Sequence, residues 1–257
     1  TARTSKTNIG IFAPKNISLT TFHPYFTYFQ VKIKIINVIL QYQKKEDMKE
    51  TRLFDILSLY AEKYPDQDVA LAKKEKGQWK KYSIKEYIEI TDYISYALIN
   101  LGISKDDKVG IICSNRPEWN MLDMAIMQTG AVTVPIYPTI SKEDYQYIIN
   151  DCGVKLIILE GMAVLQKIES IKAETPNLQT IYTINTKSEY PTFEQLVELG
   201  KNNPNPEELQ SRKDNIDEKE CATIIYTSGT TGNPKGVMLS HYNIMSQIHN
   251  LKQTPSP

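Results

Sequence analysis

Residues 227–236 read Thr-Ser-Gly-Thr-Thr-Gly-Asn-Pro-Lys-Gly, ten positions almost without an apolar side chain and so unfit for a packed core. Glycines at Gly229, Gly232 and Gly236 let the backbone turn with positive φ and let amide N–H groups converge on an anion. Hydroxyls on Thr227, Ser228, Thr230 and Thr231 add donors for phosphate oxygens, and Lys235 adds a positive charge. That is the composition of a phosphate cradle. It is not a Walker A loop: the position five after Gly229 is Pro234 where glycine is required, and Lys235 is followed by Gly236 rather than Ser or Thr. A flexible Ser/Thr/Gly linker would have looser composition and no strand on either side. Here Ala222 to Tyr226 is an apolar, strand-like run leading in, and Gly236 to Ser240 is another leading out.

The remaining chemically capable residues point to structure. Ser240 reads as the cap of a helix that follows the loop, which puts His241 on the surface and Asn243 in the first turn; His23 and His249 have no reactive context. Arg116 and Glu118 flank Pro117 at a helix start and read as structural. Cys113, Cys152 and Cys221 are odd in number, far apart and without CxxC spacing, so reduced core thiols are expected and no metal-ligating set is assigned. The formal net charge is zero, which gives no reason to expect a nucleic-acid partner.

The chain before the loop alternates strands and helices. Residues 52–64 put Leu53, Phe54, Leu57, Tyr60, Ala61 and Tyr64 on one helical stripe that Pro65 ends. Two strands joined by a turn containing Gly77 follow, and then a long helix with Ser83 and Glu86 as a capping box. Residues 108–114 form a continuous apolar run expected of a buried strand, Pro117 opens the next helix, and Pro135 predicts an edge position or an early end for the strand at 131–137. Ser141 with Asp144 and Thr192 with Gln195 start further helices, and Gly153 stops one. Residues 201–220 read as a solvated linker or surface loop. Strands separated by helices of this length predict an α/β fold of mostly parallel sheets flanked by helices.

The run Thr-Ser-Gly-Thr-Thr-Gly-x-Pro-Lys-Gly at 227–236 resembles, without mismatch, the signature phosphate loop of the AMP-forming adenylate synthetases: acyl-CoA synthetases, luciferases and peptide-synthetase adenylation domains. The resemblance extends back to about Glu50 through residues 52–71, 112–119 and 130–139, and Asn115-Arg116-Pro117-Glu118-Trp119 is most similar to the long-chain fatty acid–CoA ligases. The resemblance implies that this is part of the family's large amino-terminal domain. It also implies that Thr227, Ser228, Gly229, Thr230, Thr231, Gly232, Lys235 and Gly236 hold the ATP phosphates. The implied enzyme uses ATP, Mg2+ and CoA to activate a carboxylate as acyl-AMP and pass it to CoA. It would be cytoplasmic, with peripheral contact at the membrane surface as an open alternative. Another adenylate-forming member, such as a peptide-synthetase adenylation domain, and a non-catalytic nucleotide-binding module remain alternatives.

Residues 1–47 are expected to be a poorly specified extension, since Lys32 and Lys34 interrupt the apolar stretch at 25–42; an amphipathic membrane arm is the competing reading. Residues 48–257 then form a partial AMP-binding domain. The family's later adenine, hinge and carboxy-terminal lysine motifs do not follow the loop, so no catalytic residue is assigned and the chain alone is expected to be inactive.

Overall fold

The computed structural model describes residues 51–227 and 233–253. The expected extension at 1–47 lies outside the described residues, as do Ser228, Gly229, Thr230, Thr231 and Gly232 of the loop.

The fold opens with helix α1 (Asp55–Lys63) and a two-stranded antiparallel hairpin, β1 (Leu71–Glu75) and β2 (Gln78–Tyr82). Lys76 and Gly77 between the strands have φ of 46° and 86°, the positive values that the tightest hairpin turns need. Helix α2 (Ile84–Asn100) starts at Ser83, whose side chain accepts from the Glu86 backbone N–H while the Glu86 carboxylate accepts from that of Ser83. The parallel core follows as β3 (Lys108–Ile112), α3 (Pro117–Gln128), β4 (Val132–Pro135), α4 (Lys142–Cys152), β5 (Val154–Glu160), α5 (Met162–Ser170) and β6 (Thr180–Ile184). Two helices, α6 (Phe193–Asn202) and α7 (Pro206–Asp214), lead to β7 (Cys221–Thr227), β8 (Lys235–Ser240) and α8 (His241–Gln253).

Six strands make one sheet in the order β6-β5-β3-β4-β7-β8, parallel except for β8, which runs antiparallel to β7. Alternation along each strand splits the core in two. Val109 and Ile111 of β3 and Leu156 and Ile158 of β5 face a cluster with α2, α3 and α6. Ile112, Ile157 and Leu159 face the opposite cluster with α4 and α5. Helix α3 is buried along its whole length, which explains why it shows no polar face in the sequence. Helices therefore cover both faces of a mostly parallel sheet, as expected.

Two local expectations are overturned, and for Pro135 the early strand end holds while the edge position does not. Helix α1 buries Ile56, Leu57 and Leu59, whereas Leu53 and Phe54 are buried in the turn before it; the chain enters the core before the helix begins. Strand β4 is not an edge strand but lies between β3 and β7, and Pro135 only ends it. The Ile136 N–H bonds back to the Ile111 carbonyl, so the N–H missing at Pro135 faces β7, beyond the last β4–β7 register pair, Thr133↔Thr223. Residues 201–220 are no loose linker: α7 buries Leu209, and the Arg212 guanidinium donates to the Ile103 carbonyl at 2.7 Å.

Candidate phosphate-binding site

Strand β7 leads from the core to the loop. Ala222, Thr223, Ile224 and Tyr226 are buried, and the Thr223 hydroxyl donates to the Thr133 carbonyl at 2.8 Å, pinning β7 to β4. The chain leaves the sheet at Thr227 and returns at Lys235, and these two residues stand directly opposite each other in the β7–β8 ladder. Cross-strand partners project to the same side, so a hydroxyl and an ammonium side chain share one face at the mouth of the loop. Thr227 is half-buried and Lys235 is exposed.

Tyr226 and Gly236 form the next opposed pair, on the other face. The Tyr226 ring lies across β8 there: a Cβ on Gly236 would sit 3.0 Å from Ile224 Cγ2 and 3.1 Å from Tyr226 Cζ. Past Gly236 the ring meets the edge of Tyr147 on α4, with centroids 6.5 Å apart, and its hydroxyl donates to Asp151 Oδ2 at 2.5 Å. Burial first, then the bond to Asp151, push this phenol well above its ordinary range, so it remains a donor.

At the far end of β8, the Ser240 hydroxyl accepts from the Asn243 backbone N–H while Asn243 Oδ1 accepts from the Ser240 N–H, the cap expected from the sequence. His241 is not on the surface. It is 2% exposed, its Nδ1 accepts from the Leu53 N–H at 3.3 Å, and Phe54 meets its ring edge-on at 5.5 Å. An imidazole locked in the core this way holds the start of α1 to the start of α8 and has no access to a phosphate.

Ligands of open α/β sheets also tend to sit where neighbouring strands send their connections in opposite directions. That point lies between the carboxyl ends of β3 and β5. Here it is filled by protein. The Ser114 N–H and hydroxyl both donate to Glu160 Oε2, at 3.0 and 2.6 Å. Arg116 reaches Glu160 at 2.5 Å and Glu118 at 2.9 Å, and Lys73 from the β1–β2 hairpin also pairs with Glu118. Burial alone would raise the Glu118 carboxyl; Arg116 and Lys73 outweigh it and hold its pKa at about 2. Ser114, Arg116 and Lys73 all pair with the carboxylates of Glu160 and Glu118, so Arg116 and Glu118 form a structural clasp, as read from the sequence.

The structure thus brings together Thr227, Lys235 and Gly236 of the expected site. Asp151, 75 positions before Tyr226, was not legible as part of it, because nothing in the sequence around residue 151 marks a partner. Among the described residues no group of three or more His, Cys, Asp or Glu side chains could hold a metal, and no helix is long and apolar enough to cross a membrane.

Residues 57–256 match the profile of the family described as AMP-binding enzyme. A long-chain-fatty-acid–CoA ligase of Xenopus laevis, ACSBG2, is 39% identical over 190 residues, covering 71% of this chain and 25% of its own length. Fatty acyl-CoA synthetase A of Dictyostelium discoideum is 32% identical over 197 residues, covering 72% of this chain and 28% of its own. The chain therefore spans about a quarter of the length of these curated relatives. Among solved structures, a long-chain-fatty-acid–CoA ligase from Archaeoglobus fulgidus shares the fold with a TM-score of 0.64 at 22% identity, over 80% of this chain and 40% of that one. A fatty acyl-adenylate ligase from L. pneumophila, solved with acyl adenylate and pyrophosphate, gives 0.60 at 21% identity, over 81% and 33%.

Proposed function

This chain belongs to the AMP-binding enzyme family, and on that premise we propose that it supplies the phosphate-binding part of an ATP-dependent, AMP-forming ligase that joins a long-chain fatty acid to CoA. The observation that carries the proposal is the strand–loop–strand unit at 221–240, which presents Thr227 and Lys235 as an opposed pair at the mouth of a Ser/Thr/Gly loop. The names of the relatives support the choice of a fatty acid over an amino acid as the carboxylate.

The reaction has two halves. A carboxylate oxygen attacks the α-phosphorus of ATP, forming the acyl–O–P bond as the bond to the β-phosphate oxygen breaks and pyrophosphate leaves. The CoA sulfur then attacks the acyl carbon, AMP departs with the bridging oxygen, and the thiol proton goes to solvent. The first nucleophile is already an anion, so what the step requires is alignment and neutralised phosphate charge. Loop amides and hydroxyls with the Lys235 ammonium meet that requirement on the β- and γ-phosphates, and Mg2+ enters with ATP as part of the substrate. ATP and CoA are water-soluble and cytoplasmic, whereas a long-chain acid partitions into bilayers, so peripheral membrane contact belongs to the same reading.

The test is Lys235→Ala in the full-length enzyme, with the half-reactions measured separately. Fatty-acid-dependent ATP–pyrophosphate exchange should lose on the order of 2–4 kcal/mol of transition-state stabilisation. Conversion of supplied acyl-AMP to acyl-CoA should hold, because that half has no triphosphate to bind. Unchanged exchange would refute the assignment.

A further inference from the structure

Thr227 and Lys235 can grip one phosphate chain only if the base of their hairpin is fixed against the rest of the domain. The backbone alone does this poorly. Among the described residues the β4–β7 ladder has one register pair, Thr133↔Thr223, because β4 ends at Pro135. From Ile224 to Thr227, β7 is laddered only to β8, the other arm of the same hairpin. The last four residues before the loop therefore depend on side chains for their anchorage.

We propose that Asp151 and Tyr226 are a positioning pair for ATP. Their hydrogen bond ties the base of the phosphate loop to α4, and Gly236 is the gap through which the Tyr226 ring reaches it. The proposal rests on the reading of the loop as the ATP site. Tyr226 is the penultimate residue of β7 and is 7% exposed, so its ring is held on one side by β8 and on the other by Tyr147. Its hydroxyl points into Asp151, and the second oxygen of that carboxylate accepts from the Tyr147 hydroxyl at 3.4 Å. Neither group is placed to touch phosphate: the hydroxyl is committed to α4, and a carboxylate would repel the anion. Their effect is on where the loop begins and ends, since Tyr226 adjoins Thr227 and faces the residue that follows Lys235. A Cβ at 236 would crowd Ile224 and the Tyr226 ring and ask them to give by a few tenths of an ångström, which gives the last glycine of the loop a packing role distinct from backbone freedom.

The experiment compares Tyr226→Phe, Asp151→Asn, Asp151→Ala and the Asp151→Ala/Tyr226→Phe double variant in the full-length enzyme. Readouts are the KM for ATP in acyl-adenylate formation, the rate of acyl-AMP conversion to acyl-CoA, and the thermal midpoint. Tyr226→Phe and Asp151→Ala should each raise the KM for ATP about three- to tenfold, the loss expected of one hydrogen bond, and leave the acyl-AMP half-reaction unchanged. Asp151→Asn keeps an acceptor oxygen and should stay within about twofold of wild type. The double variant should be no worse than the poorer single, since both remove the same bond. A wild-type KM for ATP in Tyr226→Phe, equal losses in both half-reactions, or Asp151→Asn as damaging as Asp151→Ala would each overturn the pair. A wild-type enzyme without fatty-acid-dependent exchange overturns the ATP-site reading as well; normal wild-type exchange with an unaffected Tyr226→Phe overturns this inference alone.

Discussion

Glu118 sits 3% exposed between Arg116 and Lys73, and its environment sets a measurable acid response. Its pKa of about 2, against 4.5 in an unstructured chain, means that the native state takes up this proton less readily than the unfolded one. Its contribution to stability, on the order of 3 kcal/mol, is therefore complete above about pH 5 and lost as the pH falls toward 2. Urea midpoints of wild type and Glu118→Gln should differ most near neutrality and converge only as the pH falls to about 2. A gap that is constant with pH would mean the carboxyl contributes by packing alone. His241 illustrates the opposite case at this scale. A histidine beside a phosphate loop invites a catalytic reading, yet its Nδ1 is committed to the Leu53 N–H and its ring to Phe54.

The elements mostly obey local rules, and the informative exception is a glycine inside α6. Glycine within a helix ordinarily costs about 1 kcal/mol relative to alanine, so on propensity alone Gly200→Ala should stabilise. Here α6 lies so close to α2 that a Cβ at position 200 would come within 1.7 Å of the Tyr93 carbonyl oxygen, and a helix backbone cannot turn aside as a side chain can. Gly200→Ala is accordingly expected to destabilise by about 3 kcal/mol or more, read as a lowered thermal midpoint. The sign decides between the two effects. Caps at Ser83, Thr192 and Ser141 and the left-handed Gly153 after α4 were readable in advance, because each depends on residues within one turn of itself. The linker reading of 201–220 failed for the complementary reason: a polar helix with a single buried leucine, Leu209, carries almost no periodic signal, and α7 is defined by what it packs against.

On the scale of the molecule, the six-stranded sheet carries the loop on its outermost hairpin, β7–β8, with helices on both faces behind it. On the proposed reading this arrangement supplies one wall of the ATP site. The chain covers about a quarter of the length of its curated relatives, and the proposed reaction requires contacts to adenine, ribose and CoA besides those to phosphate. Residues 1–257 by themselves are therefore expected to give no fatty-acid-dependent ATP–pyrophosphate exchange above a no-enzyme control. Clear exchange would mean that the chemistry needs fewer residues than the two half-reactions imply.

The phosphate-loop composition, the alternation of buried strands with helices, and the caps and turns that bound them are all legible along the chain, because each depends on residues adjacent in it. The strand order, the interior position of β4 and the partners of the buried polar groups emerge from packing in three dimensions. The long-range bonds that hold these elements together join Tyr226 to Asp151 across 75 positions, Lys73 to Glu118 across 45 and Leu53 to His241 across 188. Such pairings leave no local trace. A buried donor is stable only beside an acceptor, but which distant residue supplies the acceptor is settled when helices and strands pack, not by the residues on either side of it.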